Sequence, residues 1–528
     1  MLVDTSGSIA CLYGYSILNY SSNVEVAMNS KPQTSKPTNA ELVRGLGLIA
    51  AIAVNVANVI GTGVFLKARV MTCNVGTPGM ALTVWLTAGV LSLAGALTYA
   101  ELLAMFPRAA GEYGIMRDAY GRFSGFIYGW TQFAIARSAS AAALAVGFAI
   151  FLNQLTGGAL NANFFTLRLG GLEIPFGRLQ LVALTAIALT VLINCAAVTF
   201  SGGVATVLTS IKVLLLIGVG VGAFVYSGGD WAHLSQANVG GTCEGVAITT
   251  GGFAGFAAAM LGALWAYDGW NNITFLAGEV KNPERNLPLG LIISMFIVMG
   301  LYLLVNIGYY HVLTPTEVAS VPASLSVAAE VVRRLLGAIA LTLMAAAMMM
   351  SSFGALHASI LATSRVPYAM ARDGLFFRGL SKISPRTHVP IRSLIVLGIW
   401  SSVLALSGSY DQLTDAAIFA LTLFYAFVAA SVFIFRRRLP DAPRPYRTWG
   451  YPVVPIVYLS VTAWLLGRIV WDARPAMSAT IGFLFGGHPV SALAESLKAP
   501  PLASLVFIVI GLPVYLILSR QARSRNDA

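Results

Sequence analysis

Residues 55–66 read NVANVIGTGVFL and set Gly61, Thr62 and Gly63 in the middle of an apolar run. Two glycines and a β-branched residue weaken the helix that the surrounding sequence favours. In hydrocarbon an unpaired backbone N–H or C=O costs several kcal/mol, so unwound backbone persists there only where protein, water or a solute supplies partners. If this stretch unwinds, the N–H groups of Gly61, Thr62 and Gly63 open the N-terminus of a second half-helix, where free donors and a partial positive charge favour a carboxylate. The carbonyls of Val59 and Ile60, closing the first half-helix, would then face an ammonium group.

A second interruption matches the first. The stretch GALWAYDGWNNITFLAG places Asp268, Gly269 and the Asn271–Asn272 pair inside another apolar segment. Running the opposite way, it would offer the carbonyls of Trp265, Ala266 and Tyr267 to the same ammonium, and the two breaks together fit a zwitterion. Close helix packing is the competing use of membrane glycines, and it suffices for Gly218, Gly220 and Gly222. For 61–63 the matched break and the intramembrane acid Asp268 favour a functional role. Lys212, in VLTSIKVLLLIG, suits a proton-linked or gating contact because a buried lysine loses its proton readily; snorkelling to the interface is the alternative. Arg137, in FAIARSASAAA, either binds carbonyls structurally or contacts solute. Glu101 reads as a structural partner for nearby arginines, and His311 and His357 as ordinary helix residues.

The elements that must hold these groups are helices in a bilayer. The chain has 528 residues, 57% hydrophobic and only 10% charged, which is far from a soluble composition. About twelve apolar segments are long enough to cross a core of about 30 Å, and none shows the alternation of a β-barrel. They are placed at 45–68, 80–105, 123–152, 179–198, 203–226, 253–278, 288–313, 335–364, 391–408, 412–435, 451–471 and 501–519. The expected fold class is therefore all-α membrane protein. Because the interruptions lie five spans apart, they run in opposite directions, as an inverted repeat of spans 1–5 and 6–10 requires. The chain then divides into a cytoplasmic N-terminal segment (1–44), a first repeat (45–226), an external connection (227–252), a second repeat (253–435), and a cytoplasmic elbow with spans 11 and 12 and the tail (436–528). Residues 1–27 are read as an extension ahead of Met28, without a structural role and without the features of a cleaved signal.

Roughly 22 Lys and Arg residues fall on the side of the termini against about eight on the other, so both termini are expected in the cytoplasm. Topology and anionic lipid account for the net charge of +12 without nucleic acid. Cys11, Cys73, Cys195 and Cys243 have no C-x-x-C spacing and the five histidines are scattered, so no metal, redox pair or cofactor is expected. Cys73 and Cys243 both fall on the outer side, where a bridge is open to them, but spacing alone does not predict it. The connections 153–178 and 227–250 read as solvent loops. No H-E-x-x-H or nucleophile elbow suggests an enzyme.

Several stretches, in this order, resemble the amino acid–polyamine–organocation superfamily and, within it, the L-type amino acid transporters, over most of residues 40–470. They are VIGTGVF, YAELLAMFPRAAGEYGIMRDAYG, Lys212, AYDGWNNITFLAGEVKNPERNLP, SRVPYAMARDGLF and PDAPRPYRTWGYPVVP. The resemblance implies a LeuT-like fold with two inverted five-helix repeats and alternating access. It implies substrate contacts at Val59, Thr62, Gly63, Trp265 and Asp268, with Trp265 as an outer gate, and places Tyr302 and Asn271 near that site. Lys212 stands where sodium-coupled relatives hold sodium. Arg137 aligns with an arginine that the family often follows with proline, whereas Ser138 follows here. Animal members carry a cysteine in the loop after span 3 for a single-span glycoprotein partner; 153–178 has none, so no covalent heavy-chain partner is expected. The expectation is a permease of the plasma membrane, in a bacterium the inner membrane, for neutral amino acids by exchange or proton-linked uptake. The same fold carrying cationic amino acids, polyamines or other organic cations against Asp268 is the alternative.

Overall fold

The computed structural model describes residues 47–524 apart from 107–110, 170–171, 197, 247–251, 324, 386, 388, 488–495 and 497–498. The expectations for residues 1–44, including Cys11 and the extension, lie outside the described residues. The first interruption is a true break. Helix α1 (Leu48–Val59) ends where Ile60 turns extended, and α2 (Gly63–Val75) starts after Thr62. Then come α3 (Pro78–Met105), a short α4 (Gly111–Tyr120), α5 (Arg122–Thr131), one π turn (Gln132–Ala136) and α6 (Arg137–Leu155). Strands β1 (Asn163–Leu169) and β2 (Leu172–Gly177) follow, then α7 (Arg178–Ala196) and α8 (Val198–Val225).

The second interruption repeats the first. Helix α9 (Gly252–Tyr267) stops at Asp268 and Gly269, and a 3-10 segment (Trp270–Glu279) continues the crossing. Gly269 has φ +100°, and a Cβ there would lie 2.6 Å from the Asn58 carbonyl oxygen, so glycine alone fits where the two breaks meet. The remainder is α10 (Pro283–Val312), α11 (Pro315–Ser320), α12 (Val327–Leu336), α13 (Ala338–Thr363), α14 (Arg365–Arg372), α15 (Ile391–Ser407), α16 (Tyr410–Arg438), α17 (Val453–Asp472), α18 (Arg474–Phe485) and α19 (Pro500–Ser524). Capping boxes start α11 at Thr314 and α16 at Ser409. The most extensive packing joins α10 to α3, α13 to α6 and α9 to α2.

Among the described residues, eight helices are long and apolar enough to cross a membrane, and two shorter apolar stretches lie at Lys212–Val225 and Ile391–Leu406. The number falls below the twelve expected partly because each broken crossing is divided into pieces too short to span alone. Two further expectations change. The connection 153–178 is not an irregular loop: β1 and β2 pair antiparallel, so the chain is not wholly α-helical. Cys73 and Cys243, 170 residues apart, are joined in a disulfide, because α2 and the connection after α8 meet over α11. Proximity of this kind is invisible in spacing.

Glu101, in α3, is fully buried and serves as the structural partner expected for it. Its carboxylate accepts hydrogen bonds from Arg436 Nε (2.9 Å), Arg436 Nη2 (2.7 Å) and the Thr448 backbone N–H (2.7 Å), with Arg444 at 3.4 Å. It ties α3 to the end of α16 and to the segment before α17. Removing one partner of such a pair strands the other charge, so Glu101→Ala should cost about 3–5 kcal/mol of stability, read as a lower unfolding temperature in detergent.

Candidate functional site

The two breaks face one cavity. Its lining takes in Asn58, Val59, Gly61, Thr62 and Gly63 from the first, Trp265, Asp268, Gly269 and Asn272 from the second, and Arg137, Ser140 and Leu144 of α6 with Ala355 and Ser359 of α13. Among the described residues, the N–H groups of Gly61, Thr62, Gly63 and Val64 have no backbone acceptor, and the first N–H groups of α2 to find one are those of Phe65 and Leu66, which bond to the Thr62 carbonyl at 3.2 Å. Backbone donors left free at a helix start beside a cavity have the chemistry that suits an anion.

The carbonyls behave otherwise than the sequence suggested. The Tyr302 hydroxyl, from α10, shares its one proton between Ala266 O (2.8 Å) and Val59 O (3.1 Å), and the Trp265 carbonyl accepts from Asp268 N–H (3.2 Å). Three of the five carbonyls assigned to an ammonium therefore already have protein donors. Ile60, Ala266, Tyr267, Asn271 and Tyr302 do not line the cavity, although each was expected at the site. Tyr267 instead packs its ring against Trp85 and Tyr302, at 6.0 and 5.0 Å between centroids. Tyr302 acts on the site by clamping the ends of both half-helices.

Two tyrosines of α16 hold the breaks from opposite sides, and neither was singled out in the sequence. The Tyr410 hydroxyl accepts from Trp265 Nε1 (2.9 Å) and shares a 2.6 Å hydrogen bond with the Thr62 hydroxyl. Just beyond, the buried Lys67 of α2 bonds to Asp411 (2.5 Å) and Thr414 (2.7 Å), with Asp415 at 3.6 Å. Through Tyr410, α16 joins α2 and α9 on that side of the cavity. On the other side the Tyr425 hydroxyl donates to Asp268 Oδ1 (2.7 Å) and accepts from Arg137 Nη2 (2.9 Å). Arg137 Nη1 reaches Asp268 Oδ2 at 3.3 Å, and Asn271 Nδ2 donates to Glu112. Arg137 follows the π turn directly, a local helix irregularity that is frequent at functional sites.

Arg137 thus lies at the cavity wall and pairs with Asp268. Lys212 is buried in α8, which packs against α1, but is not in the cavity lining and forms no ion pair among the described residues. Glu112, Tyr410, Tyr425 and Lys67 escaped the sequence because the partners that tie them to the breaks or to other helices belong to distant segments, Asn271 for Glu112 and Thr62 and Trp265 for Tyr410; Lys67 stood at the edge of a span and Glu112 in a connection.

Residues 46–485 match the amino acid permease family. The serine/threonine exchanger SteT of Bacillus subtilis is 30% identical over 453 residues, covering 85% of this chain and 96% of its own. The b(0,+)-type amino acid transporter 1 of Mus musculus is 27% identical over 84% of this chain and 87% of its own. The large neutral amino acids transporter small subunit 2 of Rattus norvegicus is 28% identical over 85% and 80%. The chain belongs to the amino acid permease family, a family of membrane transporters and not of enzymes.

The two glycines of the first break do different work. A Cβ on Gly63 would lie 2.5 Å from the Ala266 Cα, where α2 and α9 touch, while one on Gly61 meets only Val59 O at 3.9 Å. Gly63 is thus also a packing residue, and its replacement is not a clean test of binding. Gly63→Ala should destabilise by about 1–3 kcal/mol. Gly61→Ala should unfold within about 0.5 kcal/mol of the parent protein and still lose substrate-induced thermal stabilisation; the two unfolding curves, with and without amino acid, check this.

Proposed function

We propose that the protein is a twelve-span permease of two inverted five-helix repeats followed by two further spans, with both termini in the cytoplasm, that exchanges small neutral amino acids by alternating access. In a bacterium it would sit in the inner membrane. The observation that carries the reading is the pair of facing breaks with backbone N–H groups left free on one side among the described residues. Those donors suit the carboxylate common to all amino acids, and the substrate ammonium would lie toward the C-terminal end of α1, beside the Asn58 and Val59 carbonyls and Asp268. Two crossings broken at corresponding positions, five spans apart, support the inverted repeat.

Two features argue for a small neutral side chain. Ser140 and Ser359 bring two hydroxyls to the cavity wall, partners for a small polar side chain. Asp268 is balanced by Arg137 at 3.3 Å, so the site lacks the free negative charge that a cationic amino acid or polyamine would need. A relative named as a serine/threonine exchanger agrees with this choice.

Purified protein in liposomes preloaded with serine should take up labelled serine, threonine and alanine, and should take up far less without internal substrate. A tenfold excess of lysine or putrescine should leave serine uptake unchanged. Efficient competition by either would overturn the neutral assignment, and equal uptake into empty liposomes would overturn exchange.

A further inference from the structure

Glu112, in the first turn of α4, is fully buried although α4 is too short to cross a membrane. Its Oε2 accepts a 2.6 Å hydrogen bond from the Tyr128 hydroxyl and its Oε1 one from Asn271 Nδ2. Asn271 belongs to the 3-10 segment after the second break, so this contact joins α4 to that break. The titratable groups facing Glu112 are Tyr99 of α3, Tyr128 of α5, Arg137 of α6, Asp268 at the break, Tyr425 of α16 and Tyr458 of α17. Arg137 is the one cation among them, and its Nη1 and Nη2 are directed to Asp268, Tyr425 and Asn271. Among the described residues two carboxylates thus share one guanidinium, and one negative charge is unmatched in a buried place, which disfavours its ionised form.

We propose that Glu112 is a positioning residue that carries this odd proton: protonated, it holds the 3-10 segment against α4 through Asn271, and it releases the proton to water when that side of the site opens. The inference rests on the permease reading above. Burial pushes the Glu112 carboxyl up, against the opposing effects of the Tyr128 hydrogen bond and the Arg137 charge. Tyr128, donor and acceptor in one group, pairs with either form. Opening admits water, which restores the solvation that the carboxylate lacks when buried, so ionisation and opening favour each other. Exchange should therefore speed up as the pH on the α4 side rises through the raised range of this carboxyl.

The test uses the full-length protein. In exchange-active liposomes the parent rate should rise with pH, by at most about tenfold per unit for a single proton. Glu112→Gln, which keeps the shape and mimics the protonated acid, should remain monodisperse and exchange slowly with a flat pH profile, while Glu112→Asp should restore the slope. Infrared spectra recorded just above the ordinary carboxyl range should show a protonated carboxylic acid band that Glu112→Gln lacks. A parent-like pH profile in Glu112→Gln, or an unchanged band, would overturn the proposal. Absence of any amino acid exchange by the parent would defeat the permease reading instead, and the infrared band would still decide whether Glu112 holds the proton.

Discussion

Backbone groups set free inside hydrocarbon must find partners, and the structure is arranged around how the two breaks meet that demand. Acceptors and donors are treated differently. The Tyr302 hydroxyl covers the Val59 and Ala266 carbonyls, and a tight turn uses that of Trp265. The N–H groups at 61–63 receive no such cover. The donors of the first break are thus left open among the described residues, while the acceptors around it are already partly satisfied by the protein. Binding of a zwitterion would complete the hydrogen bonding that the fold leaves unfinished.

The second organising element is α16. Through Tyr410 it touches Thr62 and Trp265, and through Tyr425 it touches Asp268 and Arg137, so one helix grips both breaks above and below the cavity. Its ends are fixed by ion pairs, Asp411 with Lys67 and Arg436 with Glu101. Lys67, Arg137 and Glu101 are each buried and paired, which is how charges persist in an apolar bundle. A transporter needs such contacts to be breakable in turn. Hydrogen bonds and ion pairs between rigid helices meet that need, because each offers two discrete states where a packed apolar face would offer one.

Much of the fold was legible because hydrocarbon imposes a length and a composition on every crossing. Boundaries such as Arg178–Ala196 against an expected 179–198, or Val453–Asp472 against 451–471, follow from that alone. Both interruptions were legible for the same reason: polar and glycine residues stand out against an apolar run. Less was legible where structure follows from pairing between distant segments. The β1–β2 hairpin hid in a stretch whose Gly, Asn and Thr suggested a loop, and the Cys73–Cys243 bridge depends on how α2 and α11 pack.

The same division runs through the site. The sequence by itself determined that residues 61–63 and 268–269 would break their helices, since local helix propensity and hydrophobicity are properties of short segments. Tertiary structure decided what each broken end then faces. It directed Tyr302, not a solute, to the carbonyls, and gave Gly63 a packing role beside its conformational one. It also balanced Asp268 with Arg137 and, among the described residues, left Glu112 without a cation of its own. Those outcomes depend on angstrom-scale distances between residues of different helices, and hydrogen bonds and buried charges are decided at that scale.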